Sequence, residues 1–309
     1  MTTDERTGDT DRSELARQFE EHRGYLRRLA YGTLGSLADA DDVVQEAWLR
    51  LQTWHENRAP GDRIDNLRAW LTTVTGRLAL DQLKSARARR EQYVGEWLPE
   101  PEVTTVDDPA DRVTQDERVT TALLVVLESL SPAERTAFVL QEVFGMTGPE
   151  VAEVVGRTPA AVRQLASRAR KHVEAGTPRF PATREEQERV VSAFALAWRS
   201  GDMSALLGVL DTDATLTADG GGKVPAVRRP VRGAELIAKV LLGWYRAGAN
   251  ASGRHVLVNG RPGLMVFDGT HTGVFSFVVD DGRITGITIV RNPDKLRDLP
   301  TEGEPDWYL

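Results

Sequence analysis

The chain has 309 residues, 39 Lys and Arg against 46 Asp and Glu, a net charge of -7 and no cysteine. The length points to two or three domains, each able to bury a core, and the acidic balance excludes a protein coated in positive charge, so any DNA contact must come from local basic patches. Disulfides and thiolate metal sites are excluded, the five histidines lack the close spacing of a zinc site, and no apolar run is long enough to span a bilayer; no metal, cofactor or membrane partner is expected, and the cytoplasm is the default location.

Residues 1–11 are polar and expected to be disordered. Leu15, Phe19, Leu26, Leu29 and Ala30 then give a mostly helical stripe that Gly35 ends. Asp39 is expected to cap a second helix, with Asp42 at its third position; Ala40, Val43, Val44, Ala47, Trp48 and Leu51 line its apolar face and leave Asp41, Asp42, Gln45 and Glu46 as an acidic, polar patch. A third helix starts near Asn66, buries Leu67, Trp70, Leu71, Val74 and Leu78, leaves Thr72, Thr73, Arg77 and Lys84 outside, and ends in Arg87, Arg89 and Arg90. An acidic face and a basic, threonine-bearing face on one small helical domain suit two different partners.

Residues 91–118 are acidic and proline-bearing, as expected of a linker. Within them, Trp97-Leu98-Pro99-Glu100-Pro101 places two apolar anchors on a stretch that the prolines hold extended. Three helix signals follow. Ser131 with Glu134, and Thr147 with Glu150, have the capping-box offset, and Gly156 supplies a stop. Thr158-Pro159 opens a last helix with Val162, Leu165, Ala166, Ala169 and Val173 on one face and Ala160, Arg163, Gln164, Ser167, Arg168 and Lys171 on the other. No acidic residue lies between Arg157 and Val173, and a short turn between two capped helices is helix-turn-helix geometry, whose second helix enters the major groove.

From Phe180 the texture changes. Helical stripes over 190–198, 203–210 and 233–245 precede strands at 255–259 and 264–267, which pair across Gly260-Arg261-Pro262-Gly263, and at 274–279 and 283–290, which flank Asp280-Asp281-Gly282. Helices followed by a meander predict an α+β domain with helices on one face of a curved antiparallel sheet.

The stretch from Asp39 to Trp48, with Asn66-Leu67-Arg68-Ala69-Trp70-Leu71 and Asp81-Gln82-Leu83-Lys84, resembles region two of the extracytoplasmic-function sigma factors of bacterial RNA polymerase, and residues 130–171 resemble their region four. The C-terminal order resembles the SnoaL-like domains, small cone-shaped α+β barrels. Trp97-Leu98-Pro99-Glu100-Pro101, Asp219-Gly220-Gly221-Gly222-Lys223 and Asn292-Pro293-Asp294-Lys295-Leu296 look like the three marks of the sigma-factor subgroup that carries this extension in place of a separate anti-sigma protein. The resemblance implies two all-α domains followed by a SnoaL-like cone-shaped barrel: region two at 12–92, an acidic linker at 93–117, region four at 118–176 and a regulatory domain at 183–298.

It further implies that Asp41, Asp42, Gln45 and Glu46 dock on core RNA polymerase. Thr72, Thr73, Arg77, Lys84 and Arg87 would meet the minus-10 element of promoter DNA as it opens, and Ala160, Arg163, Gln164, Ser167, Arg168 and Lys171 the minus-35 duplex. The three subgroup motifs would form an interdomain regulatory site, with Gly220, Gly221 and Gly222 allowing a close approach. A phosphate-binding loop is rejected there, since the first glycine and the Ser or Thr after the lysine are missing. Other readings are a regulator sensing a small-molecule ligand in the C-terminal barrel, an enzyme using that barrel with Asp219, Lys223, Tyr245 and His255, and a dimeric repressor.

Overall fold

The computed structural model describes residues 3–59, 61–90, 93–105, 119–177, 182–247, 252–297, 299 and 307–308. Backbone contacts divide the chain into two compact units, one of Met1–Arg87 with Leu130–Arg170 and the other of Ala88–Ser129 with Lys171–Leu309.

The first unit is helical. Helix α1 (Thr3–Leu34) takes in the polar stretch expected to be disordered. That stretch contains no proline, and extending a helix already nucleated by packing fixes one residue per added hydrogen bond. Gly35, at φ 70°, stops α1. The cap of α2 (Leu37–Asn57) is Ser36 and not Asp39: the Ser36 hydroxyl accepts from the Asp39 N–H, so Asp39 and Asp42 both fall inside the helix. Helix α3 (Leu67–Arg90) starts as expected, with Asn66 Oδ1 accepting from the Ala69 N–H at 3.0 Å. Phe19, Leu26, Val44, Leu51 and Leu71 form the core of this three-helix body, with Trp48, Trp54 and Trp70 against it.

Helices α5 (Pro132–Phe138), α6 (Gly148–Val155) and most of α7 (Pro159–Gly176) complete the unit, with a single π turn (Val139–Val143) extending α5. Both expected capping boxes are present, and Gly156 ends α6 in the left-handed conformation at φ 67°. One apolar cluster joins Leu29 of α1 to Leu140, Val151, Val154 and Val162. Gly76 makes that packing close: a Cβ there would lie 2.9 Å from Val154 Cγ1.

In the second unit, α8 (Arg184–Arg199), α9 (Met203–Val209) and α10 (Ala234–Ala247) supply Val191, Phe194, Trp198, Leu206, Ile237 and Leu241 to a core shared with one face of a sheet. The sheet contains β1 (Val103–Thr104), β2 (Leu210–Asp219), β3 (Val231–Arg232), β4 (Ser252–Val258), β5 (Arg261–Phe267), β6 (Thr272–Asp280) and β7 (Arg283–Val290), in the order β1-β4-β5-β6-β7-β2-β3, and β8 (Trp307–Tyr308) also pairs with β4. This is the helices-on-a-sheet α+β architecture that the SnoaL-like resemblance implies.

Three details differ from expectation. The turn between β4 and β5 is Asn259-Gly260, both at positive φ (52° and 74°), so Arg261, Pro262 and Gly263 belong to the strand; Asn-Gly is the pair that the twist of a two-residue hairpin selects. Strand β2 pairs with β7 in parallel, so the sheet is not wholly antiparallel. Strand β1 comes from the linker. Helix α4 (Thr121–Leu127), the first of region four, also lies in this unit. It meets the end of α7 there: a Cβ on Gly176 would come within 2.9 Å of Val126.

Candidate nucleic-acid interface and linker clasp

On α2, Asp41, Asp42 and Gln45 are exposed and Glu46 is half-buried, as the helical period requires once Val43, Val44 and Ala47 face the core. Arg27 pairs with Asp41 at 2.8 Å and Arg50 with Glu46 at 3.1 Å, while Asp42 and Gln45 stay at the surface. Leu49 sits one turn beyond them and is 46% exposed. An apolar side chain beside acidic groups suits a protein partner and not a polyanion. The composition of the patch had concealed Leu49, although its position seven residues after Asp42 is visible in the sequence.

The residues expected at the minus-10 element do not all stand outside. Thr72 is buried and its hydroxyl donates to the Arg68 carbonyl at 2.7 Å, because α3 also packs on the face that the apolar pattern left unassigned. Thr73 is half-buried and Arg77 and Lys84 are exposed; the Arg87 side chain lies outside the described residues. Lys84 pairs with Asp81. Arg77 donates to the Glu153 carbonyl at 3.2 Å and to its carboxylate at 3.0 Å. Thr72, Thr73 and Arg77 line a cleft of about 660 Å³ whose other wall includes Phe144, Met146, Glu150 and Glu153. Region four thus brings two carboxylates to the cleft that Thr72, Thr73 and Arg77 line.

On α7, Ala160, Arg163, Gln164, Ser167, Arg168 and Lys171 are all exposed, opposite the buried Val162, Ala166, Ala169 and Val173. Arg168 is held at 2.8 Å by Glu134. The Glu134 carboxyl lies below the usual carboxylate range because the Ser131 hydroxyl and then Arg168 bind its charged form. Arg163, Gln164, Ser167 and Lys171 are the exposed polar side chains of this face outside that ion pair.

The three motifs expected to meet do so within the second unit, around Asp219. Its carboxylate is buried and accepts from the Tyr93 hydroxyl (2.6 Å), the Gly221 N–H (2.8 Å) and the Leu98 N–H (3.0 Å), and pairs with Lys295 Nζ at 2.7 Å. Lys295 also donates to the Leu98 carbonyl and stands 3.9 Å from the centre of the Trp97 ring. Leu98, Pro99, Glu100 and Pro101 are buried, so the anchors of the linker pack on the C-terminal domain. Lys223 pairs with Asp294 at 2.5 Å, holding the Asp294 carboxyl below its usual range. Pro293 is exposed, and Leu296 packs with Val103 against Val256, Val258 and Val274.

The glycine run is explained by two close approaches. Gly221 (φ 64°) would place a Cβ 2.5 Å from the Asn292 side chain, and Gly222 (φ 69°) would place one 3.0 Å from Val94. Two residues of the clasp were missed in the sequence. Tyr93, four residues before the linker motif, accepts from Asn292 Nδ2 at 2.7 Å while donating to Asp219; burial, then the neighbouring carboxylate, pushes its phenol above its ordinary value. Asn259, at the β4–β5 turn, donates its N–H to Glu102 O (2.8 Å) and its Nδ2 to Val119 O (3.3 Å), while its Oδ1 accepts from Thr121 (3.0 Å). Nothing local marks the linker contacts of either residue, since the partners are remote in sequence.

Among the described residues no group of three or more His, Cys, Asp or Glu could hold a metal ion, and no helix is long and apolar enough to cross a membrane. Residues 18–89 match the family described as Sigma-70 region 2, and residues 120–173 the family described as Sigma-70, region 4. Those two regions in that order define a transcription initiation factor of the sigma type. The chain is 41% identical over 302 residues to the ECF RNA polymerase sigma factor SigJ of Mycobacterium tuberculosis, across 92% of this chain and 93% of the relative. It is 38% identical over 289 residues to the probable ECF RNA polymerase sigma factor SigI of the same organism, across 92% of this chain and 95% of the relative. The crystal structure of the M. tuberculosis extracytoplasmic function sigma factor SigJ superposes with a TM-score of 0.74 at 38% identity, covering 93% of this chain and all of that one. The chain therefore belongs to the extracytoplasmic-function RNA polymerase sigma factors, which direct transcription initiation and are not enzymes.

Proposed function

We propose that this sigma factor works in the cytoplasm with core RNA polymerase and promoter DNA, and that its SnoaL-like C-terminal domain regulates it in cis by gripping the linker between regions two and four. The acidic face of α2 with Leu49 docks on the polymerase, Thr73, Arg77, Lys84 and Arg87 of α3 meet the minus-10 strand, and Arg163, Gln164 and Lys171 of α7 meet the minus-35 duplex. Thr72 serves by shaping the α3 surface from beneath. The observation that carries the regulatory reading is the buried Asp219–Lys295 pair, closed on Tyr93, Trp97 and Leu98 of the linker. Such contacts act at high effective concentration because both partners belong to one chain.

The Arg77–Glu153 contact gives this arrangement a functional sense. Region four occupies Arg77, a cation that an unpaired strand would need, so promoter opening requires the two regions to separate. The test is transcription by purified polymerase with wild-type, Asp219→Asn and Lys295→Met chains at several promoters. Regulation through the clasp predicts promoter-dependent changes, and identical profiles for all three would remove it. Loss of polymerase capture on Asp42→Lys with Glu46→Lys, in a folded chain, tests the docking face separately. A second reading adds a small-molecule ligand in the C-terminal domain; a cavity beside β5 and β6 favours it.

A further inference from the structure

The ladder between β5 and β6 runs from the Phe267–Thr272 pair to Leu264–Phe275 and goes no further. Pro262 has no N–H to continue it. In its place the side chain of Gln187, from α8 and only 5% exposed, donates through Nε2 to the Pro262 carbonyl (3.1 Å) and the Phe277 carbonyl (3.3 Å). The amide satisfies both acceptors and props the strands apart. A cavity of about 270 Å³ lies at this split.

The cavity walls are unlike one another. Val258, Pro262, Phe277 and Val279 from the sheet line it together with Ala182 and Ala122, and the N-terminus of α4 (Thr120, Thr121) adds a further wall to what is a half-open space. Thr120 caps α4 by accepting from the Leu123 N–H, and Thr121 bonds Asn259 and Ser276, so these hydroxyls are already engaged. Among the described residues Arg261 is the one charged side chain that lines the space, and none of them brings a carboxylate to it. Its guanidinium donates from Nη1 to the Ala182 carbonyl at 3.1 Å, which leaves most of a five-donor fork facing no acceptor of the described protein.

We infer that this cavity binds a small organic carboxylate with an apolar body, and that α4 senses its occupancy. One guanidinium with apolar walls matches a carboxylate head on a hydrocarbon tail; a phosphate would call for more donors than the site offers. An apolar cavity of about 150 Å³ holds benzene, so this one takes about a dozen non-hydrogen atoms. The binding step stands on the cavity alone, whereas the sensing step rests on the cis-regulatory reading, because α4 is the first helix of region four.

The probes are 4-phenylbutyrate and its uncharged amide, titrated into the full-length chain by calorimetry, with hydrogen exchange of the α4 amides as the second readout. A charge-assisted bond to Arg261 predicts that the acid binds about tenfold or more tighter than the amide. Arg261→Met should bring the two within about twofold of each other, and Ala122→Leu or Ala182→Leu, which fill the space, should weaken both. Two filling variants guard against one that misfolds, and circular dichroism checks each. No saturable binding at millimolar probe, equal binding of acid and amide, or binding indifferent to both filling variants would each overturn the site. Binding that leaves α4 exchange unchanged would overturn the sensing step, while the linker clasp is judged independently by the Asp219 variant.

Discussion

Replacing Asp219 by Asn keeps the shape of the side chain and changes only what it accepts. Four donors converge on the native carboxylate: Tyr93 and Gly221 on Oδ1, Leu98 and Lys295 on Oδ2. In one orientation the new amide would turn its NH2 toward the Leu98 N–H and the Lys295 ammonium, and in the other toward the Gly221 N–H. Neither satisfies all four. Breaking a buried pair by removing one charge costs about 3–5 kcal/mol. Lys295 is 11% exposed and keeps the Trp97 ring and the Leu98 carbonyl, so the low end applies. About 3 kcal/mol is a factor of roughly 150 in the equilibrium between docked and released linker. The assay is hydrogen exchange by mass spectrometry over residues 93–105. Protection there should fall by about two orders of magnitude while peptides from β5, β6 and β7 hold theirs. Unchanged protection of the Leu98 peptide would refute the claim that Asp219 holds the linker.

Gly76→Ala should gain about 1 kcal/mol of helix propensity in α3 and lose about 1–3 kcal/mol to the overlap with Val154, so a double-mutant cycle with Val154→Ala should show coupling of at least about 1 kcal/mol by urea denaturation; additive effects would mean that the two residues do not touch. Glu134, held below its usual 4.5 by the Ser131 hydroxyl and then Arg168, contributes stability that is present above 4.5 and lost as pH falls through its lowered folded value. Glu134→Gln should therefore be less stable than wild type at neutral pH and show a flatter dependence of unfolding midpoint on pH below that point. Lys171→Ala should weaken minus-35 binding by a similar factor on every sequence and reduce the salt slope by about one, whereas Gln164→Ala should relax preference at a single base; fluorescence anisotropy on a set of duplexes separates the two.

Much of this was legible because its signals are local. Capping boxes at Ser131 and Thr147, the stop at Gly156 and the turn at Asp281-Gly282 each specify geometry within a few residues, and each is found where the sequence puts it. The amphipathic pattern of α7 likewise fixed which side chains face out. What escaped depends on remote partners. Thr72 reads as a surface residue until region four is packed nearby, the parallel pairing of β2 requires a strand more than sixty residues away, and the short strand β1 exists only because β4 offers an edge. The Asn259-Gly260 turn was a failure of a different kind, since the pair was visible and the following Pro and Gly were given more weight.

The clasp gives an acidic, weakly patterned linker fixed attachment points on the C-terminal domain. Its two described ends meet one residue: Asn259 binds Glu102 before the undescribed stretch 106–118 and Val119 and Thr121 after it. The described parts of the linker are thus held by the turn of a hairpin and by Asp219, both of them features of the C-terminal domain. Region four itself is divided by this arrangement, with α4 in the same unit as the sheet and α5 and α6 in the unit with region two. Helix α4 is joined to α5 by the four-residue connection Glu128-Ser129-Leu130-Ser131, and α7 likewise runs from one unit into the other, so region four has two covalent links to the unit that holds the sheet.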